Sequence, residues 1–409
     1  MRRPFTGSPL TRRVAVLAAL PLLAVAACGG SDGSSSEAGG SSDQSDLGPY
    51  KLGLVYSSEG PFATNSATAR DGAHYAVDLL NQNGGVNGRQ IELVEVDERN
   101  DSQSLVTSIP KLVSQDEVFA IMGPVDSAGC DIACAVAADL EVPIVMAGAG
   151  RPGVLEPSRP WSFSMVAPDA SNSIPVLSSY VEQKGVQTAA IIVDEATATT
   201  KAQGDLYREV FSATNVKVVS TTSFSSGDPS FTSQVTSMAA ANPDVIALAA
   251  GPTDAARIAV EVRAQGLDST LLGTGSLQAG GTDYINGAGD AAEGTVTAAQ
   301  FNPDNTDEPA ATLLAQARKD KNLDVVPLNF AYAFDLINMI AGYLTDSGAT
   351  ANPDTVADDR KGLLDYLQGL DPFKGMSGDD RFSTDGTGDR PQLYAIVENG
   401  EFVISDVSG

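Results

Sequence analysis

The chain has 409 residues, 42% of them hydrophobic, with 52 acidic side chains against 25 basic ones and a formal net charge of −27. That length leaves room for two domains. An acid surplus this large excludes a partner such as nucleic acid or an anionic membrane face, both of which need a basic footprint. It says nothing against a small ligand, because surface charge mostly governs solubility.

The N-terminus reads as an export signal. Arg2, Arg3, Arg12 and Arg13 make a cationic start, and Val14 to Ala24 form an apolar run too short to span a bilayer. Val25-Ala26-Ala27-Cys28 places small residues before a cysteine and resembles a lipoprotein signal box. Residues 1–27 are thus expected to be removed and Cys28 to carry lipid. Thr11-Arg12-Arg13-Val14 weakly resembles a twin-arginine signal, so the export route stays open. Losing this stretch removes four arginines and no acid, which takes the charge from −27 to −31. Gly29 to Gly48 is almost wholly Gly, Ser, Asp and Glu. Residues 28–48 therefore read as a flexible tether reaching on the order of 25 Å. No later run approaches the ~20 apolar residues of a membrane span. The mature protein is expected to be lipid-anchored outside the cytoplasm, touching the membrane through that anchor only.

Lys51 to Tyr56 (KLGLVY) reads as a first strand. Ala73, Ala76, Val77, Leu79 and Leu80 then recur at helical spacing, and Asn83-Gly84-Gly85 stops the helix. Asn87-Gly88 turns the chain into a strand holding Ile91, Leu93, Val94 and Val96, which runs into Asp97-Glu98-Arg99-Asn100-Asp101. A helix from Ser102 to Ser114 follows, with Pro110 expected to kink or shorten it. Further strands fall at Phe119 to Met122, Val142 to Met146, Ala189 to Val193, Val216 to Ser220, Val245 to Ala249 and Thr270 to Leu272. Helices lie between, such as Ala255 to Gln265 ahead of Gly266. This alternation predicts parallel sheets covered by helices on both faces.

The order of helix, Gly-Gly turn, strand and spaced aspartates in Arg70 to Asp101 resembles the leucine/isoleucine/valine-binding family of solute receptors, the substrate-binding proteins of ABC importers. The tail Phe373 to Asp385, then Tyr394 to Val397, is similar to that family's closing hairpin. The resemblance implies an α/β fold of two doubly wound parallel-sheet lobes joined by a three-stranded hinge, the Venus-flytrap of type I periplasmic binding proteins. Residues 49–167 and 298–375 would form the N-terminal lobe, and 168–297 with 376–409 the C-terminal lobe. It further implies a monomeric binding protein that captures a small organic solute for the transmembrane subunits of an ABC permease. No cofactor, metal, nucleic acid or catalytic step is expected. A sensory receptor of the same fold is the alternative, and a cleft enzyme a weaker one.

Ligands of open α/β sheets sit beyond the carboxyl ends of the strands. The corresponding loops read Ser57 to Phe62, Pro124 to Ala128 and Ala147 to Gly150. The resemblance puts a ligand carboxylate at Ser127 and the backbone of Gly148 and Gly150. Ser127 also reads as a helix N-cap. The family's ammonium partners fall on Gly150 and Gly275, and its aromatic lids near Asn65, Thr199 and Gly251, none of which supplies the expected side chain. Glu59 or Asp126 could restore an acid; Phe62 and Ala128 complete the candidate set. A solute without a free α-amino group is the resulting expectation.

Other motifs carry less. Gly148-Ala149-Gly150-Arg151-Pro152-Gly153 satisfies G-x-G-x-x-G, with Asp169 near the distance of a ribose-binding acid. Its helix would have to contain Pro152, Gly153 and Pro157, which argues against a dinucleotide site. His74 is the only histidine and reads as a surface or half-buried helix residue. Asp379, Asp380, Asp385 and Asp389 lack a calcium ladder and read as a solvated turn. Cys130 and Cys134 share a helix face at a separation that leaves a disulfide and two buried thiols both open.

Overall fold

Runs of apolar residues flanked by amphipathic helices bury both faces of a sheet, and here they build two sheets. A computed structural model describes residues 47–406. The leader, Cys28 and all of the tether except Leu47 and Gly48 lie outside the described residues.

The first lobe runs β1 (Tyr50–Tyr56), α1 (Ala63–Gln82), β2 (Ile91–Asp97), α2 (Leu105–Ser114), β3 (Ala120–Met122), α3 (Ser127–Asp139), β4 (Ile144–Met146) and β5 (Ser162–Ser164). Its sheet has the order β2-β1-β3-β4-β5, parallel throughout. The second lobe continues with α4 (Ser173–Gln183), β6 (Thr188–Asp194), α5 (Ala198–Ala213), β7 (Lys217–Phe224), α6 (Thr232–Ala239), β8 (Val245–Ala249) and α7 (Pro252–Ala264). It closes with β9 (Thr270–Gly273), α8 (Ser276–Ala279), α9 (Asp283–Ala288) and β10 (Val296–Ala299). The chain then returns to the first lobe with α10 (Ala310–Lys321), α11 (Leu328–Ser347), α12 (Val356–Gln368) and the ribbon β11 (Phe373–Gly375) and β12 (Gly378–Asp380). A last passage brings β13 (Leu393–Glu398) and β14 (Glu401–Asp406) to the second sheet.

In that sheet β7-β6-β8-β9-β10 repeats the order of the first, so both lobes have their switch point between the first and third strands. One edge departs from the expected parallel sheet. β13 enters from the other lobe and runs antiparallel to β10, and β14 antiparallel to β13. Asn399 and Gly400, both at positive φ (54° and 77°), make the two-residue turn between them.

The three interlobe passages are tied together. The Ala167 N–H donates to Gln300 Oε1 at 2.7 Å, and Asn172 Nδ2 donates to the Pro391 carbonyl at 3.1 Å. Beside them lies a correction to the solvated-turn reading. Asp379, Asp385 and Asp389 are exposed, but Asp380 is fully buried, paired with Arg390 Nη1. Arg390 Nε also donates to the Met165 carbonyl at 2.6 Å, and the guanidinium lies 4.4 Å from the Tyr332 ring centre. Buried Asp335 accepts the Met376 and Ser377 N–H groups, each at 2.7 Å.

Pro110 lies inside its helix without breaking it. A 3₁₀ turn occupies Ser102–Ser104, and α2 runs through the proline. The missing N–H orphans only the Val106 carbonyl, and Val106 is exposed to water. Cys130 and Cys134 are disulfide-bonded along α3, with Cα atoms 5.0 Å apart. His74 is half-buried against Glu95, which also accepts Arg70 Nε at 2.9 Å. Among the described residues no helix is long and apolar enough to cross a membrane.

Candidate ligand-binding cleft

The carboxyl ends of both sheets face one cavity of about 120 Å³. From the first lobe, Phe62, Asn65, Asp126, Ser127, Gly148 and Gly150 reach it; from the second, Thr199 and Gly275 do. Glu59, Ala128 and Gly251 do not line it. Glu59 is exposed and therefore cannot restore an acid. Ala128 N–H donates instead to Thr199 Oγ1 across the lobes at 3.1 Å. At Gly251 an added Cβ would lie 1.9 Å from the Pro61 carbonyl oxygen, so glycine there lets the lobes touch.

Each loop is shaped by a local reason. Asp126 is the N-cap of α3, accepting the Gly129 N–H at 2.9 Å. Ser127 is thus the first helical residue and not the cap, and its Oγ accepts the Arg151 N–H at 3.2 Å. Gly148 packs so closely under the preceding loop that a Cβ would sit 1.9 Å from the Val125 carbonyl oxygen. The G-x-G-x-x-G stretch opens no long helix; it leads to a 3₁₀ turn at Glu156–Ser158. Its glycines serve backbone approach at the cleft wall.

Direct contacts hold the lobes together. Asn65 Nδ2 donates to the Ser276 carbonyl at 3.1 Å, Thr68 Oγ1 to the Ala279 carbonyl at 3.3 Å, and Thr199 Oγ1 to Asp126 Oδ1 at 3.4 Å. Phe62 is the one aromatic side chain lining the cavity among the described residues, in keeping with the missing lids.

The electrostatics of the cleft are acidic. Burial pushes the Asp126 carboxyl up despite its backbone donors. Behind it Glu98, 3% exposed, is pushed to about 7 by burial and by the Asp126 charge. Asp169 lines the cavity and is pushed to about 6 by burial, against the Ser173 hydroxyl that donates to Oδ1 at 2.6 Å. The sequence left an acid in the cleft to Glu59 or Asp126; Asp126 lines the cavity, and so does Asp169, whose backbone N–H donates to the Gly150 carbonyl at 2.9 Å. Asn329, Gln203 and Arg151 also line the cavity and were not among the candidates. The available signal was position: Pro168 to Asn172 reads as an interlobe crossing, and a crossing opens onto the cleft.

A family model described as periplasmic binding protein matches residues 49–401. The chain belongs to that family. This periplasmic binding protein is 25% identical over 309 residues to the leucine-, isoleucine-, valine-, threonine-, and alanine-binding protein of Pseudomonas aeruginosa, covering 75% of this chain and 81% of the relative. With an amino acid binding protein of the same organism it shares 25% identity over 225 residues, 53% of this chain and 59% of that one. Among solved structures it is similar to the branched-chain amino acid transporter substrate binding protein LivJ of Streptococcus pneumoniae in complex with isoleucine. That match has a TM-score of 0.77 at 22% identity and covers 87% of this chain and 99% of LivJ. A solute binding protein of an R. palustris ABC transporter, in complex with benzoate, matches with a TM-score of 0.75 at 18% identity, over 88% of this chain and 96% of that one. These likenesses establish a type I fold of two α/β lobes and a solute-binding protein, not an enzyme.

Proposed function

We propose that this binding protein is the extracytoplasmic receptor of an ABC importer, held to the membrane through lipid on Cys28, and that it closes its two lobes on a small, amino-acid-like organic solute. The observation that carries the reading is a cavity at the switch points of both sheets, lined by polar atoms from each lobe and crossed by interlobe hydrogen bonds. A solute touching both walls favours the closed state over the open one. The names of the relatives support an amino-acid-like solute, and the sequence before Leu47 supports the anchor.

Thermal unfolding of the mature protein against a library of amino acids, amides and small carboxylic acids tests the capture step. A binder at a hundred times its dissociation constant should add about 2.7 kcal/mol to stability. A library that leaves the melting temperature unmoved sinks the reading. Fractionation of a Cys28→Ala variant checks the anchor, which predicts release from the membrane fraction.

A further inference from the structure

A second cavity, of about 570 Å³, lies at the other end of the first lobe. Tyr50, Lys51 and Phe119 line it, and they stand at the amino ends of β1 and β3. The solute cleft opens beyond the carboxyl ends of the same sheet, so the length of β1 separates the two by roughly 20 Å. Arg89 and Arg360 also line this cavity, 5% and 9% exposed. The chain has 52 acidic side chains against 25 basic ones, yet here three cations share a wall with the single acid Glu117.

None of the three is neutralised by an acid among the described residues. Arg89 donates to the Gly48 and Thr350 carbonyls, each at 2.6 Å, and to the Pro49 carbonyl at 3.4 Å. Its guanidinium lies 3.7 Å from the Tyr50 ring centre. Arg360 donates to the Phe119 and Val118 carbonyls at 3.1 and 2.8 Å. Those carbonyls fix the guanidinium planes but bring no net charge, and burial pulls the Arg360 pKa below its ordinary value with no acid to raise it. Lys51 is half-buried and forms no ion pair among the described residues. The nearby Asp359 is engaged by the Ala351 N–H and the Thr355 hydroxyl, and Glu117 is exposed. A guanidinium has five N–H donors, so both arginines keep hydrogens for a further acceptor. Buried charge without a partner is costly, and a bound anion would relieve it.

We propose that this cavity is an anion site, separate from the solute cleft, that takes a phosphate ester through Arg89, Arg360 and Lys51. A phosphate ester offers negative charge and several strong acceptors at once, which suits more than one cation. Val113, Phe119 and Val356 give its organic part an apolar wall. Leu47 lines the cavity as well, so the site lies where the chain enters the lobe after Cys28, within reach of a lipid headgroup as of a free ester. The acid surplus disfavours adhesion to a whole anionic face; one pocket engages one headgroup.

Two titrations of the mature chain at constant ionic strength test the site, with Cys28→Ala so that no anchor mimics binding. One uses glycerol 3-phosphate, read by calorimetry; the other uses vesicles of phosphatidylglycerol in phosphatidylcholine, read by co-sedimentation. Saturable binding of glycerol 3-phosphate supports the site with a free ester as its source, and vesicle binding alone supports it with a headgroup. In either arm Lys51→Gln and Arg360→Gln should each weaken binding about tenfold or more, the range for a lost charged hydrogen bond. If Arg360→Gln does not fold, Lys51→Gln, whose ammonium ties nothing together, carries the test. Binding of neither probe, or binding that the substitutions leave within about twofold of wild type, overturns the proposal and leaves solute capture in the cleft standing.

Discussion

Two acids near the interlobe passages behave differently: Asp380 is fully buried and Asp169 half-buried. Asp380 meets the Arg390 guanidinium, which is fixed in turn by the Met165 carbonyl and the Tyr332 ring. Asp169 has one serine hydroxyl and an open cavity. The first charge is compensated within the protein and serves the architecture. The second meets no lysine or arginine among the described residues. A neighbour of opposite charge therefore separates the two: with it the acid is fixed in its charge, and without it burial alone sets the titration.

The largest effect should come from breaking the compensated side. Arg390→Met leaves Asp380 buried without its cation beside Asp335, and should cost about 3–5 kcal/mol in denaturant unfolding. A loss under about 1 kcal/mol would show that water or protonation replaces the arginine.

The open side should instead show itself in pH. The groups facing Asp169 are the Ser173 hydroxyl from α4, Tyr207 from α5, and Asp126 and Arg151 across the cavity. Its folded value of about 6 lies above the ordinary 3.8, so between these the folded protein holds a proton the unfolded chain has released. That contribution to stability is present below the ordinary value and lost as pH rises through about 6. Unfolding free energies measured across this window in wild type and Asp169→Asn should differ in slope; parallel curves would assign the titration elsewhere.

A smaller effect should come from the lobe contact. Gly251→Ala meets the Pro61 carbonyl only when the lobes close. It should weaken solute binding about tenfold while changing unliganded stability by no more than about 1 kcal/mol, the scale of an N-cap substitution. Unchanged affinity would mean that closure tolerates a wider gap at this point.

Much of the fold was legible, because helical and strand spacing are properties of neighbouring residues. Ala73 to Leu80, the Gly84-Gly85 stop and the Ile91 strand all follow from local pattern. The site was less so, because its parts meet through packing. Asp169 suggested a ribose partner from its distance to a glycine motif; the fold instead ties its backbone to Gly150 and sets it in the cavity wall. Asp380 looked solvated amid glycines and acids, since nothing local shows that Arg390 folds over it. Ser127 read as the cap because a serine before a helix usually is one, yet Asp126 one residue earlier takes that role.

The hydrogen bonds from Asn65 to Ser276 and from Thr68 to Ala279 join protein to protein, with no solute between them. Each contributes roughly 0.5–1.5 kcal/mol to closure whether or not the cleft is filled. Measured affinity is the intrinsic affinity scaled by the fraction already closed. These latches therefore set how much cargo is held at low supply. They also set how many empty molecules already have the closed shape of loaded ones. Tighter latches gain sensitivity in scarcity and lose the difference in shape between empty and loaded molecules.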